Sequence, residues 1–150
     1  IKATFFMVGD NVRKYPSLYE EVRKRGHRVG NHTMHHLQGA KCAVECYLKD
    51  IAEASRFIES DLFRPPHGWL RRAQAKRLAQ DFKIIMYDLV TRDYSRRVDA
   101  EGVVRNVRRY SRPGSIIVFH DSLKSIKKLE TALPESIEWL VNEGYSFGLL

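Results

Sequence analysis

The chain has 150 residues, of which 43% are hydrophobic and 29% are charged, and its formal net charge at pH 7 is +8. These proportions are ordinary for one soluble globular domain, and the length is enough to bury a core without disulfides or metals. No apolar run approaches the roughly 20 residues that span a bilayer, so we expect no transmembrane segment. The chain opens on a strand-like sequence, so no signal peptide is expected in it.

The basic residues do not cluster in the sequence as they do in nucleic-acid-binding proteins. Lys and Arg outnumber Asp and Glu by 26 to 18, but they are scattered between apolar helix positions, as on solvated helix faces. We therefore expect no nucleic-acid partner. Attraction to anionic polymers such as cell-wall material stays open.

The first half of the chain alternates between strand and helix patterns. Residues 3–8 predict a strand, residues 9–11 a turn and cap, and residues 17–25 an amphipathic helix that stops at Gly26. Residues 27–30 predict a short strand, and residues 43–60 a longer helix that contains Cys46. Cys42 and Cys46 are four residues apart, which is poor disulfide geometry, so we expect packing cysteines.

The second half continues the alternation. Residues 62–64 predict an extended segment, residues 73–80 a helix, residues 84–90 a strand, residues 100–110 a helix and residues 115–119 a strongly apolar strand. A last helix is predicted at residues 134–142 and a last strand at residues 146–150. Short connections between strands and helices favour a parallel sheet, in a barrel-like or doubly wound α/β fold, as one domain over residues 1–150.

His32 and His36 form the most informative pair in the chain. They stand four residues apart, which is about one helical turn, so a short helical segment would point both imidazoles the same way. Two neutral imidazoles are half of a divalent metal site, with zinc the usual metal.

Polar residues follow four predicted strands at their carboxyl ends, where α/β folds gather their chemistry. Besides the histidine pair, these are Arg64, Asp93, His120 and Asp121. Each has a purely structural alternative: Arg64 as part of a stiff proline turn, Asp93 as a turn cap, and His120 as the end of a core strand. His27 is expected to be structural, and His35 and His67 to line a pocket or lie exposed rather than bind metal.

Five segments in order resemble the polysaccharide deacetylases of the NodB-homology type, carbohydrate esterase family 4. They are KATFFMVG at residues 2–9, GNHTMHH at 30–36, FRPPHG at 63–68, TRDY at 91–94 and GSIIVFHD at 114–121. The resemblance implies a parallel-strand (β/α) barrel, distorted and incomplete, with the first strand and helix missing. It implies a metal-dependent hydrolase that removes N-acetyl or O-acetyl groups from a polysaccharide such as chitin or peptidoglycan.

The resemblance also implies roles for single residues. His32 and His36 would bind a divalent metal, with zinc expected and cobalt or nickel as alternatives. His120 would be the general acid, and Asp93 would orient its ring. Arg64 would hold the catalytic carboxylate in place, and His67 would offer its backbone N–H to the oxyanion. Tyr94 and Val118 would form the wall of the pocket that receives the acetyl group.

The sequence departs from the family pattern at three places. The family's first motif, a pair of aspartates that supplies the catalytic base and a third metal ligand, is expected upstream of Ile1 and does not occur in these residues. His67 stands where Tyr is common, and Tyr94 where Trp is common. A missing first strand would expose a sheet edge, which predicts self-association.

Two function classes therefore stay open. The first is a metal-dependent deacetylase acting on an acetylated polysaccharide or oligosaccharide. The second is a catalytically inactive, carbohydrate-binding member of the same fold. Family membership would suggest work outside the cytoplasm, although the sequence itself leaves the compartment unknown.

Overall fold

The computed structural model describes residues 1–150 and divides the chain into two units. The first unit consists of Ile1–Met86 with Phe147–Leu150, and the second unit of Tyr87–Ser146. No helix is both long and apolar enough to cross a membrane. In both units strands alternate with helices and every strand pair is parallel, which confirms the predicted parallel α/β class.

The first unit contains a four-stranded parallel sheet in the order β1-β2-β3-β4. Met7 of β1 pairs with Asn31 of β2, and Asn31 in turn pairs with Phe63 of β3. The strands are β1 (Thr4–Met7), β2 (Arg28–Asn31), β3 (Leu62–Phe63) and β4 (Lys83–Ile84). The helices are α1 (Gly9–Lys14), α2 (Pro16–Lys24), α3 (Val44–Ala54) and α4 (Arg72–Leu78), with single 3-10 turns at Gly39–Lys41 and Pro66–Gly68.

Two apolar clusters hold these helices against the sheet. One cluster joins α1 and α2 to β2, and its buried members are Val12, Tyr19, Val29 and Ile58. The other joins α3 and α4 to β3, and its buried members are Tyr47, Ile51, Phe63 and Leu78. Each cluster removes apolar surface from water, which is the main free-energy gain of folding.

The second unit is a two-stranded parallel sheet with two helices. β5 (Leu89–Val90) pairs with β6 (Ile117–Val118), and α5 (Ala100–Tyr110) packs on α6 (Ile126–Asn142) around Val103, Val104 and Ala132. The Asp99 side chain caps α5 by accepting a 2.8 Å hydrogen bond from the Gly102 N–H. The predicted bounds of α5 are confirmed.

Several predicted bounds in the first unit are wrong. Residues 9–11, predicted as a turn, form the first turn of α1. The helix predicted at residues 43–60 ends at Ala54, because the chain turns there and places Ile58 in the cluster with α1 and α2. The C-terminal residues 146–150 form no strand; the Leu150 N–H donates to Thr4 Oγ1 at 3.3 Å instead.

The strand predicted at residues 84–90 is also wrong, since its two ends belong to different sheets. Lys83–Ile84 pairs with β3, and Leu89–Val90 pairs with β6. Between them the Arg64 guanidinium donates to the carbonyls of Ile85 and Met86. These carbonyls are therefore engaged by a side chain rather than by a neighbouring strand.

The last helix begins earlier than predicted. It starts at Ile126, eight residues before Pro134, and runs through that proline. Leu129 and Ala132 in the added turns are buried, and Ala132 belongs to the cluster with α5. This packing outweighs the hydrogen bond that a proline inside a helix removes.

Candidate functional site

Residues 32–36, the histidine loop, follow β2 and are not helical. The expected helical turn is wrong, because Thr33 and His36 adopt left-handed backbone angles with φ of 68° and 56°. A helix requires negative φ at each residue. The two histidines are brought together by loop geometry instead of by a 3.6-residue period.

The loop is fixed by hydrogen bonds to buried polar groups on its N-terminal side. Asn31 is fully buried; its amide donates to the Ile51 carbonyl at 3.1 Å and to Ser55 Oγ at 3.0 Å. Its Oδ1 accepts from the Thr33 N–H at 2.8 Å. Buried and fully paired polar groups of this kind specify one backbone conformation.

Helix α1 adds two further bonds to the loop. The N–H groups of Gly9 and Asp10 donate to the carbonyls of Thr33 and Met34 at 2.9 and 3.0 Å. A Cβ at position 9 would lie 2.6 Å from Met34 Sδ, so only glycine allows this approach. The first turn of α1 therefore supports the histidine loop.

Asp50 on α3 is a supporting residue that sequence reasoning missed. Its carboxylate is 7% exposed and accepts from the N–H groups of Met34 and His35 at 2.8 and 3.1 Å. It also lies 2.6 Å from His35 Nδ1, and this hydrogen bond raises the pKa of His35. The signal was an aspartate next to Ile51 and within one turn of Tyr47 on an apolar helix face, where a charge needs partners.

The metal-ligand candidates His32 and His36 lie side by side. Their ring centroids are 5.0 Å apart, and the His67 ring lies 4.9 Å from that of His36. His32 Nδ1 is 2.6 Å from the Arg64 carbonyl oxygen, so Nδ1 carries the proton that it donates. A metal-binding histidine typically donates its other ring N–H in this way, so the Nδ1 contact fits a ligand role.

The two adjacent imidazoles offer two nitrogen donors. Two imidazoles fit a divalent metal such as zinc, which accepts nitrogen ligands. Within residues 1–150 no group of three or more His, Cys, Asp or Glu side chains is arranged to hold a metal ion. The His67 ring, although it lies beside that of His36, does not complete a three-residue metal-binding group with His32 and His36.

Arg64 is buried under the sheet edge and is not a surface residue of its proline turn. The residue is 9% exposed, and its guanidinium carbon lies 4.0 Å from the centroid of the Phe6 ring. Its nitrogens donate to the carbonyls of Ile85 and Met86, each at 3.3 Å. A buried guanidinium with this fixed position can hold an anionic group nearby.

His67 lies in the 3-10 turn that follows Arg64 and is exposed. Its φ is 59°, and the next residue, Gly68, has a φ of 70°. A left-handed non-glycine residue is unfavourable and persists only where the surroundings fix it. In this turn the Gly68 N–H donates to the Pro65 carbonyl at 3.1 Å.

In the second unit, Asp93 and His120 form a tightly bonded pair. Asp93 is fully buried and accepts from His120 Nδ1 at 2.8 Å and from the His120 N–H at 2.6 Å. A third bond comes from the Tyr94 N–H at 3.0 Å. Burial raises the pKa of Asp93, but the hydrogen bonds from His120 prevail and hold it below its usual value.

The imidazole of His120 is oriented by this carboxylate and faces outward. Because Nδ1 bonds to Asp93, Nε2 is the nitrogen left for proton transfer, and the side chain is 40% exposed. The Tyr94 ring stands nearly perpendicular to it, with centroids 4.9 Å apart. Such a carboxylate–imidazole pair is suited to general acid–base chemistry.

Thr91, which directly follows β5, is hydrogen-bonded to β6. Its N–H and Oγ1 both bond to the Val118 carbonyl, at 3.2 and 2.9 Å, and its own carbonyl accepts from the Asn106 amide at 3.0 Å. Val118 itself is half-buried in β6. The loop that carries Asp93 is therefore tied to β6 and to α5.

Lys128 on α6 is a second residue that sequence reasoning missed. Its ammonium donates to the carbonyls of Asp93 and Ser95 at 2.8 and 2.5 Å. No sequence motif pointed to it, because a lysine on an amphipathic helix is normally solvated. The first unit thus brings together His32, His36, Arg64 and His67, and the second unit brings together Asp93, Tyr94 and His120.

Comparison with known proteins gives the family. The family model described as polysaccharide deacetylase matches residues 1–84, which is more than half of the chain. The chain therefore belongs to the polysaccharide deacetylase family, the hydrolases of carbohydrate esterase family 4. This confirms the resemblance stated from the sequence.

Individual relatives bear deacetylase names. The chain is 32% identical to a peptidoglycan-N-acetylglucosamine deacetylase of Bacillus cereus, over 97% of this chain and 72% of that protein. It is 29% identical to a chitooligosaccharide deacetylase of Rhizobium leguminosarum bv. trifolii, over 81% of this chain and 59% of that protein.

A solved structure supports the same fold. The crystal structure of the Bc1960 peptidoglycan N-acetylglucosamine deacetylase, in complex with 4-naphthalen-1-yl-N-oxidanyl-benzamide, superposes with a TM-score of 0.92 at 30% identity. The match covers 100% of this chain and 73% of that chain. The predicted deacetylase-type α/β fold is confirmed.

Proposed function

We propose that this chain is part of a metal-dependent hydrolase that removes acetyl groups from the amino sugars of a polysaccharide such as peptidoglycan or chitin. The observation that carries the proposal is the Asp93–His120 pair, in a chain of deacetylase family membership. A buried carboxylate that fixes an exposed imidazole has a clear use in amide hydrolysis, which needs an acid for the leaving amine.

In this mechanism His120 donates the proton that the amine requires. When the C–N bond of the tetrahedral intermediate breaks, the leaving nitrogen takes a proton from His120 Nε2, and the acetyl group leaves as acetate. Asp93 keeps Nε2 directed at the substrate and stabilises the positive charge of the imidazolium.

The first unit supplies the metal ligands and the buried arginine. We assign His32 and His36 as ligands of a divalent metal, with zinc expected and cobalt or nickel as alternatives. When bound, such a metal polarises the acetyl carbonyl and lowers the pKa of a coordinated water. The Arg64 guanidinium would position the carboxylate that acts as base.

The substrate contacts involve three further residues. The backbone N–H of His67 would donate to the oxyanion, and its ring, beside that of His36, would contact the substrate. Tyr94 and Val118 would form the wall that receives the acetyl methyl group. Donors aimed at the developing oxyanion are worth several orders of magnitude in rate in other hydrolases.

The experiment is acetate release from chitotetraose and from peptidoglycan, with zinc and with chelator, by this chain joined to a segment that carries the aspartate pair of the family's first motif. We expect turnover with metal only, and a loss of about 10³-fold for His120→Ala, the range typical of a lost general acid. His27→Ala is the matched control, because His27 accepts from the Ala3 N–H away from the histidine loop. Equal activity of the two variants would contradict the role of His120.

The small number of metal-ligating side chains supports a second candidate function, carbohydrate binding without catalysis. Because residues 1–150 contain no group of three metal-ligating side chains, the chain also fits a carbohydrate-binding member without turnover. This alternative predicts chitotetraose binding, seen as chemical-shift changes, with no acetate release at any metal concentration. Acetate release by the wild-type chain would exclude it.

A further inference from the structure

A polar pocket of about 310 Å³ lies in the second unit, and neither Asp93 nor His120 lines it. Three arginines, Arg92, Arg97 and Arg105, line it together with Asp99 and Asn106. We call it the arginine pocket. Arg92 directly precedes Asp93, whose carboxylate accepts from His120, in the chain.

The backbone of Arg92 is held in an unusual conformation. Its φ is 64°, in the left-handed region that non-glycine residues rarely adopt. The residues on both sides are buried, and both are anchored, Thr91 by Asn106 and Asp93 by His120. Such conformations persist where the surrounding structure fixes them, and they are found preferentially at functional sites.

The charges of the pocket are incompletely balanced. Arg105 lies 3.9 Å from Asp99 and 3.6 Å from Glu101, so its charge is partly matched. Asp99 Oδ1 is also occupied by the Gly102 N–H. No carboxylate lies within 4.0 Å of the guanidinium of Arg92 or Arg97, whereas other arginines of the unit, such as Arg108 and Arg112, do have one.

From these observations we infer that the arginine pocket binds a carboxylate on a sugar of the substrate polymer. A guanidinium accepts a carboxylate through two parallel hydrogen bonds, and two guanidiniums without a counter-charge face this pocket. A neutral polymer such as chitin has no anionic group that would balance their charge. Resting on the proposed function, this assigns the chain to an acidic glycan, with carboxylate-bearing sugars of the kind that peptidoglycan contains.

The test compares two tetrasaccharides of equal length. One alternates N-acetylglucosamine with N-acetylmuramic acid, which carries a carboxylate, and the other is chitotetraose. Binding to the wild-type chain is measured by calorimetry at low and at 0.3 M salt. We expect the acidic ligand to bind about tenfold more tightly at low salt, with the advantage falling at high salt.

The double variant Arg92→Gln/Arg97→Gln should lose the tighter binding of the acidic ligand. It should bind both ligands with the affinity that the wild-type chain has for chitotetraose. Arg96→Gln is the matched control, because it removes an equally exposed charge between the two positions that does not line the pocket. Thermal unfolding of each variant checks that the unit remains folded.

The outcomes separate the two proposals. Equal wild-type affinity for both ligands, or the same loss in Arg96→Gln as in the double variant, would overturn the arginine pocket while leaving deacetylation intact. Binding of neither ligand would contradict the pocket and the proposed function together. Loss of chitotetraose binding in the double variant would show general glycan contact and would also overturn carboxylate recognition.

Discussion

His32 in the first unit and His120 in the second are both held through ring Nδ1, but against acceptors of different charge. His32 Nδ1 bonds to the neutral Arg64 carbonyl at 2.6 Å, and His120 Nδ1 bonds to the buried Asp93 carboxylate at 2.8 Å. A neutral carbonyl acceptor orients the ring, as the hydrogen-bond partners of metal-binding histidines do. A carboxylate also favours the imidazolium, which an acid catalyst requires.

The supports of the two rings differ in the same way. The histidine loop is held by neutral amides and backbone groups, with Asp50 as its one buried carboxylate. The Asp93 loop is held by a charged network, in which Lys128 bonds to two carbonyls and Asp93 accepts three hydrogen bonds. The chemistry proposed for each ring therefore matches the charge of its surroundings.

Removing the carboxylate in the second unit should have the largest effect. Asp93→Asn keeps the shape but loses the charge that stabilises the imidazolium, so we expect kcat for acetate release to fall about 10³-fold. Asp88→Asn is the control, since Asp88 bonds to Ser115 and Ile116 in the same unit. An unchanged kcat in Asp93→Asn would contradict the proposal that the charge of Asp93 gives His120 a different role from His32.

Removing a ring of the first unit should weaken metal binding rather than acid catalysis. We expect His36→Ala to weaken zinc binding by about 100-fold, because half of the imidazole pair is gone. Isothermal titration with zinc is the measurement, and His27→Ala the control. If His120→Ala weakened zinc binding as much as His36→Ala, the two rings would not have separate roles.

Removing the one buried carboxylate beneath the histidine loop should cost stability and metal affinity together. Asp50→Ala leaves three donors of Met34 and His35 without their acceptor, so we expect the free energy of unfolding to fall by about 2 kcal/mol. Zinc affinity should fall about tenfold, as is typical for residues that orient ligands. Glu45→Gln, on the exposed side of α3, should change neither quantity.

The smallest expected effect is a pH dependence from His35. Its hydrogen bond to Asp50 raises the pKa of His35 above the ordinary value of 6.5, so the folded state binds this proton more strongly than the unfolded state. The resulting stability is fully present below pH 6.5 and is lost as pH rises through the raised pKa. The free energy of unfolding, measured across this range, should depend less on pH in His35→Gln; identical curves would contradict the prediction.

Some members of the candidate site could be named from the sequence and others could not, and the reason differs between the residues. His32, His36, Asp93 and His120 follow strands, and carboxyl ends of parallel strands are where such folds place their chemistry, so residue type and position sufficed to propose them as candidates. Asp50 and Lys128 support the site from helices that are distant in sequence. The sequence around Asp50 indicates only that a charge on an apolar helix face needs partners, and nothing local marks Lys128, because only folding brings the partners of both residues near.

The sequence by itself determined the family, the alternation of parallel strands with helices, and the bounds of α5, because motif spacing and apolar periodicity are local properties of the chain. Only the tertiary structure decided the left-handed turns at Thr33, His36 and Arg92 and the division of residues 84–90 between two sheets. These features depend on which backbone groups find partners far along the chain. Long-range hydrogen bonding and packing therefore override local propensity at and next to the residues proposed for the site.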